Sequence, residues 1–379
     1  MKRIMKNSAV QSLLASLACI IVGLLIGYIV LLFINPAGAW DAILTVIKNF
    51  FYYPSKPAAL KYFGSTLVKT VPLMLCGLSV LFAYKVGLFN IGAAGQYVAG
   101  AGAALYLALA LNQPWYVCVI GAMLAGAVLG AISGALKSYC NVNEVISCIM
   151  LNWISLYVVN MILTTVKETT SPYTFTLSST NPAALIPSLG LGKLFSNNQY
   201  VTIALPIAIL VSILIWVLLE KTKFGYELRA CGFNKNAARY AGINEKRNII
   251  LAMMISGALA GVGAGLYYLS TVAEWNPQVS TALPAMGFNG IAAAFLGGLN
   301  PIGNIFSNPI GTIFSSLSIS YITVGGTKLS TQYYTKEIAD VITALIIYLC
   351  AFSLLFKNKI RALLVGKAKR VSVGKGGDD

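Results

Sequence analysis

The sequence predicts an all-α polytopic membrane protein of about ten transmembrane helices, with both termini cytoplasmic and one span short or broken. Three observations predict it. Ten apolar stretches approach the roughly 20 residues that a helix needs to cross about 30 Å of hydrocarbon. Of 379 residues 58% are hydrophobic and only 10% charged, with a mean hydropathy of +0.77. The basic residues gather in alternate loops. Because lipid cannot satisfy stray backbone groups, such spans are helices or a closed barrel, and these long runs lack the alternation of barrel strands.

The spans fall near 13–34, 64–84, 91–111, 114–136, 144–165, 200–219, 249–269, 286–299, 303–324 and 337–356. The first follows a short basic segment, but its apolar run is longer than a secretion-signal core, so it reads as a retained helix. The fourth and seventh carry small faces at helical spacing, Gly126, Gly130 and Gly134, and Gly257, Gly261 and Gly265. Such faces let helices approach closely, through plain packing or at a moving interface. The eighth is short and Gly-rich, an expected break or partial crossing.

An even number of spans puts both termini on one side. That side carries 19 Lys and Arg residues against 7 opposite, which makes it cytoplasmic. The net charge of +16 follows this pattern and forms no nucleic-acid patch, so no nucleic-acid partner is expected. Residues 1–356 read as one transmembrane domain with a cytoplasmic loop at 220–247, and 357–379 as a basic tail that frays or lies against anionic membrane lipid.

Several chemistries are excluded. Histidine is absent and the seven cysteines are scattered without a CxxC pair, so neither a metal site nor a structural disulfide is expected. Ionisable residues within the spans are few: Lys69 can snorkel from near the outer end of the second, Glu144 opens the fifth, and Asp340 starts the tenth. A carboxylate near the midplane, common in ion-coupled carriers, is missing. No G-x-x-x-x-G-K-[ST] phosphate loop occurs, the nearest run being Gly190 to Lys193, so the chain is expected not to be an enzyme and to have no catalytic residues of its own.

The 220–247 loop suggests a short helix around Asn236, Ala237, Ala238, Arg239 and Tyr240, held between turns at Gly232 and Gly242. Ala237 and Ala238 would admit a motor subunit closely while Lys235 and Arg239 supply charge; alternatively the loop only sets topology. Amides and aromatics in apolar helices suit a neutral polar solute, which nominates Phe89, Asn90, Gln96, Asn152, Trp153, Phe288 and Asn289. Asn90 and Gln96 lie on opposite faces of a continuous helix, so only a break at Gly92 or Gly95 would bring them together. Phe288-Asn289 echoes Phe89-Asn90, a short trace of an internal repeat. Equally, the amides can bond neighbouring helices, and the aromatics can anchor at the interface instead of stacking on a base. The outer loop 166–199 is either a docking surface or a solvated linker.

The run from Thr222 to Gly265, with FGYELRACGFNKNAARYAGI and SGALAGVGAG, resembles the coupling region of bacterial ABC importer permeases of the branched-chain amino acid, ribose and nucleoside family. FNIGAAGQ at 89–96, NEVISCIMLNW at 143–153 and GFNGIAAAFLGGLNPIG at 287–303 are similar to its nucleoside branch, and the resemblance covers about residues 64–356. It implies a permease subunit of the cell membrane importing nucleosides by alternating access. Its implied partners are a second permease, identical or homologous, a cytoplasmic ATPase subunit that uses ATP and Mg, and an extracellular substrate-binding lipoprotein. The chain itself would hold no cofactor. The family usually has an acidic residue where Ala94 stands, so that carboxylate's role is absent here. The alternatives are a ribose or other sugar permease of the same machinery, and an ATP-independent secondary carrier.

Overall fold

Helices account for the architecture among the described residues. The computed structural model describes residues 8–277, 282–297 and 309–326, together with 341, 344, 345, 348 and 349. The expected tenth span and the basic tail lie largely outside the described residues. In chain order the helices are α1 (Ser8–Ile34), α2 (Pro36–Lys48), α3 (Lys56–Tyr84), α4 (Ala93–Leu109), α5 (Trp115–Cys140) and α6 (Glu144–Leu163). Two short helices follow in the loop after α6, α7 (Leu177–Thr180) and α8 (Leu191–Leu194). Then come α9 (Ala204–Lys221), α10 (Lys223–Phe233), α11 (Lys235–Tyr240), α12 (Glu245–Tyr268), α13 (Ala285–Leu296) and α14 (Pro309–Gly326).

Five of these, α3, α5, α6, α9 and α12, are long and apolar enough to cross a membrane. Burial ranks them: the most apolar windows of α3 and α12 are 89% and 72% buried, against 28–33% for α5, α6 and α9. Thus α3 and α12 form the centre, and the others present apolar faces such as Ile120, Leu124 and Val128 on α5 and Leu210 and Leu214 on α9 to the surroundings.

The two glycine faces meet one another. A methyl group on Gly126 would overlap the Gly257 carbonyl and one on Gly257 the Gly126 carbonyl, while Gly130 and Gly261 lie as close to the Met253 and Ala122 carbonyls. Backbone therefore touches backbone along α5 and α12, with Cα–H groups facing carbonyl oxygens over several turns.

Two elements differ from the sequence expectation. Residues 35–63 suggested no helix, yet α2 forms there and α3 begins eight residues early, running roughly 43 Å. The signals for α2 are local: Asn35 accepts from the Ala37 amide at 3.1 Å and Pro36 occupies the first turn. At 13 residues it is too short to register as a span.

The outer loop 166–199 is built, not a loose linker. Asn181 Nδ2 donates to the carbonyls of Ala108 (2.8 Å) and Gln113 (3.0 Å), and Asn198 Nδ2 to those of Lys61 (2.7 Å) and to Ser65 Oγ (3.0 Å). The Ile186 amide donates to the Leu269 carbonyl at 3.1 Å. These clamps tie it to the far ends of α3, α4 and α12.

Candidate functional site

Between α3 and α4 the chain turns at Lys85–Gly87 and re-enters the bundle as irregular backbone before α4 starts at Ala93. Gly87 has φ +77°, which suits a residue without Cβ in that turn. Irregular backbone at this depth persists only where protein satisfies it. Asn152 of α6 does so: its Oδ1 accepts from the Gly95 amide at 2.8 Å and its Nδ2 donates to the Ile91 carbonyl at 3.1 Å. Ser155 Oγ adds a bond to the Gly95 carbonyl at 2.9 Å. Asn152 thereby supplies from a neighbouring helix the partner that the first turn of α4 lacks, and Gly95 must be glycine because a methyl group there would strike Asn152.

The break also unites the two amides that a continuous helix would separate. Asn90 and Gln96, both buried, face each other, with Asn90 Nδ2 2.8 Å from Gln96 Oε1 and Gln96 Nε2 3.3 Å from Asn90 Oδ1. Asn90 Nδ2 also lies 2.6 Å from Ser256 Oγ and 3.1 Å from Ser79 Oγ, three acceptors for two N–H groups. The Ser256 hydroxyl donates to the Ser79 carbonyl at 2.6 Å. One sealed polar cluster thus joins α3, α4 and α12. Leaving any of these buried groups unpaired would cost about 1–3 kcal/mol. The buried Tyr97, whose ring packs on Tyr268 at 6.2 Å between centres, has a hydroxyl without a hydrogen-bond partner among the described residues.

The short α13 starts beside the same point. At 12 residues, about 18 Å, it cannot cross a bilayer alone, as its length in the sequence suggested. Its Gly287 packs on the Ala94 backbone, so a methyl group at 287 would overlap it, and Ala94 is itself buried. The first turns of two interrupted helices therefore adjoin inside the bundle, each bringing the positive end of its backbone dipole. Phe89 lies 6.0 Å from Phe295 of α13. The remaining nominees are placed elsewhere. Trp153 is partly exposed and stacks on Tyr157, Phe288 is 41% exposed, and Asn289 is half-buried on α13. Sequence reasoning missed Ser79, Ser155 and Ser256, single hydroxyls in apolar runs whose sole signal is their polarity.

At the end of the bundle where α3 finishes, α10 and α11 replace the single helix expected in the 220–247 loop. Thr222, Asn234 and Asn244 cap α10, α11 and α12, each accepting from a backbone amide at 3.1 Å. Gly232 is not a turn but part of α10's last turn, where a side chain would collide with the Lys85 carbonyl. Gly242, with φ +80°, does end α11, and the Ile243 amide bonds back to the Ala238 carbonyl at 3.0 Å. Ala238 faces inward and is buried. The outward surface consists of Asn236, Ala237, Arg239 and a 94% exposed Tyr240, joined by Phe233, which the sequence reading did not nominate. Arg229 Nη1 bonds Glu220 Oε2 at 2.9 Å and braces α10 on α9. Burial pushes the Lys85 ammonium below the usual lysine range, with Glu220 opposing and Arg229 adding to the shift. The Gly232–Lys85 contact thus links the exposed α10–α11 pair to the strand of chain that leads into Asn90.

Two helix starts that adjoin inside an apolar bundle beside buried amides, with a braced helix pair exposed at one end, fit a membrane transport subunit. The chain belongs to the family described as branched-chain amino acid transport system / permease component, which matches residues 62–351. It is similar to the guanosine ABC transporter permease protein NupP of Bacillus subtilis, 31% identical over 94% of this chain and 97% of that protein. It is similar also to the nucleoside ABC transporter permease protein NupB of Lactococcus lactis, 31% identical over 98% and 99%. A further relative, the guanosine permease NupQ of Bacillus subtilis, is 29% identical over 67% and 81%. No solved structure matches. The protein is accordingly a multi-pass ABC transporter permease of the cytoplasmic membrane, the transport subunit and not the ATPase, and its family implies ATPase and binding-protein partners.

Proposed function

We propose that this chain carries nucleosides inward as one permease subunit of an ATP-driven importer. The observation that carries the substrate class is the near full-length similarity to permeases named for guanosine and nucleosides. The site chemistry agrees with it: amides and hydroxyls without a carboxylate suit a neutral, hydrogen-bonding solute. The path runs along the α4–α13 junction. There Asn90 and Gln96 exchange their mutual bonds for substrate, the Tyr97 hydroxyl offers a free donor, and Phe89 and Phe288 meet the base. Asn152 holds the break open, and Asn289 and Trp153 flank the path.

The permease has ten spans with both termini cytoplasmic. Residues 1–356 form the transmembrane domain and 357–379 a basic tail on anionic lipid. The ATPase subunit, using ATP and Mg, seats on Gly232, Asn236, Ala237, Arg239, Tyr240 and Gly242, with Ala238 holding α11 to the bundle. Its movement passes through the Gly232–Lys85 contact to the Asn90 break. That two guanosine permeases of one organism both resemble this chain supports a homologous, nonidentical second permease, and an extracellular lipoprotein delivers substrate. Uptake of labelled guanosine by cells carrying this gene tests the substrate class. A hundredfold excess of unlabelled uridine or adenosine is expected to suppress it by roughly tenfold or more, and ribose to leave it unchanged. Suppression by ribose alone would assign the chain to sugars.

A further inference from the structure

The tip of the outer loop is unusual for an apolar segment. Leu189 is 78% exposed and Leu194 68% exposed, with the exposed Lys193 beside them. Leu189 has φ +43°, a left-handed conformation that a bulky side chain rarely adopts, and Gly190, Ser196 and Asn197 are left-handed too. Such backbone persists only where its surroundings fix it. Here they do: the Ile203 amide bonds the Pro187 carbonyl at 3.1 Å on one side, and the buried Asn198 grips Lys61 and Ser65 on the other. Phe195 packs on Phe63 at 5.9 Å between ring centres. The leucines are thus held outward on a rigid base.

Placement narrows what meets them. The loop joins the N-terminal end of α9, and α10–α11 follow its C-terminal end, so tip and ATPase face lie at opposite ends of the bundle. A loop tip with several left-handed residues and exposed polar groups does not sit in hydrocarbon, which puts it in water or at the headgroups. Two rigid leucines in water, flanked by a cation, fit a protein surface.

We propose that Leu189 and Leu194 form a preformed knob that seats in an apolar dimple, rimmed by acidic side chains, on the extracellular substrate-binding protein. The proposal rests on the importer reading above. It is tested with the whole transporter in nanodiscs, its ATPase subunits attached and the purified binding protein of the same importer as probe. L189D/L194D is expected to weaken binding by about 30-fold or more and to remove binding-protein-stimulated ATPase activity, with basal activity and thermal melting unchanged. L189G, which keeps the left-handed backbone and deletes the knob, weakens binding as well, and K193E slows association. Equal affinity in wild type and all three variants would overturn the knob and leave the leucines as contacts with lipid headgroups. A wild-type transporter that neither binds the protein nor responds to it would overturn the importer reading itself.

Discussion

Gly257→Val is expected to eliminate folded protein. In the α5–α12 crossing the Gly257 and Gly126 backbones touch, and Gly130 and Gly261 repeat the contact one turn away on either side. A branched side chain at Gly257 cannot rotate clear, because the atoms in its way are backbone carbonyl and Cα. The helices must part, which also strips the neighbouring Met253 and Ala122 contacts. Overpacking in an ordinary core costs about 1–3 kcal/mol; separating α5 from the central α12 over several turns multiplies this against a total stability of about 5–15 kcal/mol. Detergent-extracted G257V is expected to run as aggregate on size exclusion, and G130V likewise. A125V, whose side chain points into an open apolar groove between α4, α5 and α6, is expected to remain monodisperse. A monodisperse, thermally unchanged G257V would refute the backbone crossing.

The second large effect separates folding from coupling. Phe233→Asp combined with Tyr240→Asp is expected to leave the protein in the membrane with its melting temperature intact, because both rings are exposed and brace nothing. Aromatic anchors at the centre of an interface contribute about 2 kcal/mol or more each, so ATP-driven uptake falls by roughly a hundredfold or more. Ala238→Glu is predicted to differ in kind. Ala238 is buried beneath α11, so a carboxylate there undocks the helix and lowers transport together with thermal stability. Quantitative membrane blots, melting curves and uptake on the same preparations check all of this. Full uptake by the double aspartate variant would remove α10–α11 from the ATPase interface.

These two cases also mark how far the sequence could be read. The glycine faces were visible as a spacing of four on two apolar helices, but that they face each other was not, because spacing alone names no partner. The Asn90–Gln96 pairing was conditional on a break, and the structure places it just before Gly92, where Asn152 reaches across from α6. Asn152 was legible as an amide in an apolar helix, but its partners, the Gly95 amide and the Ile91 carbonyl, lie 57 and 61 residues away and left no local trace. Of the coupling loop only the helix around 236–240 was legible; α10, the caps at Thr222, Asn234 and Asn244, and the inward face of Ala238 were not. A six-residue helix has too few positions to reveal a stripe. The clamped outer loop escaped for a related reason: its order comes from tertiary bonds such as Asn198 to Lys61, between residues far apart in the chain. The α2 helix, by contrast, carries local signals, the Asn35 cap and Pro36, within a stretch too short to stand out as a span.

The most direct measurement uses proteoliposomes holding this chain, its partner permease and the ATPase subunit, with binding protein and labelled guanosine outside and ATP within. Guanosine is expected to accumulate above the outside concentration, in a manner that requires ATP and vanishes when this chain is omitted. Guanosine that merely equilibrates through this chain, at a rate indifferent to ATP and to the ATPase subunit, would contradict it and make the protein a carrier.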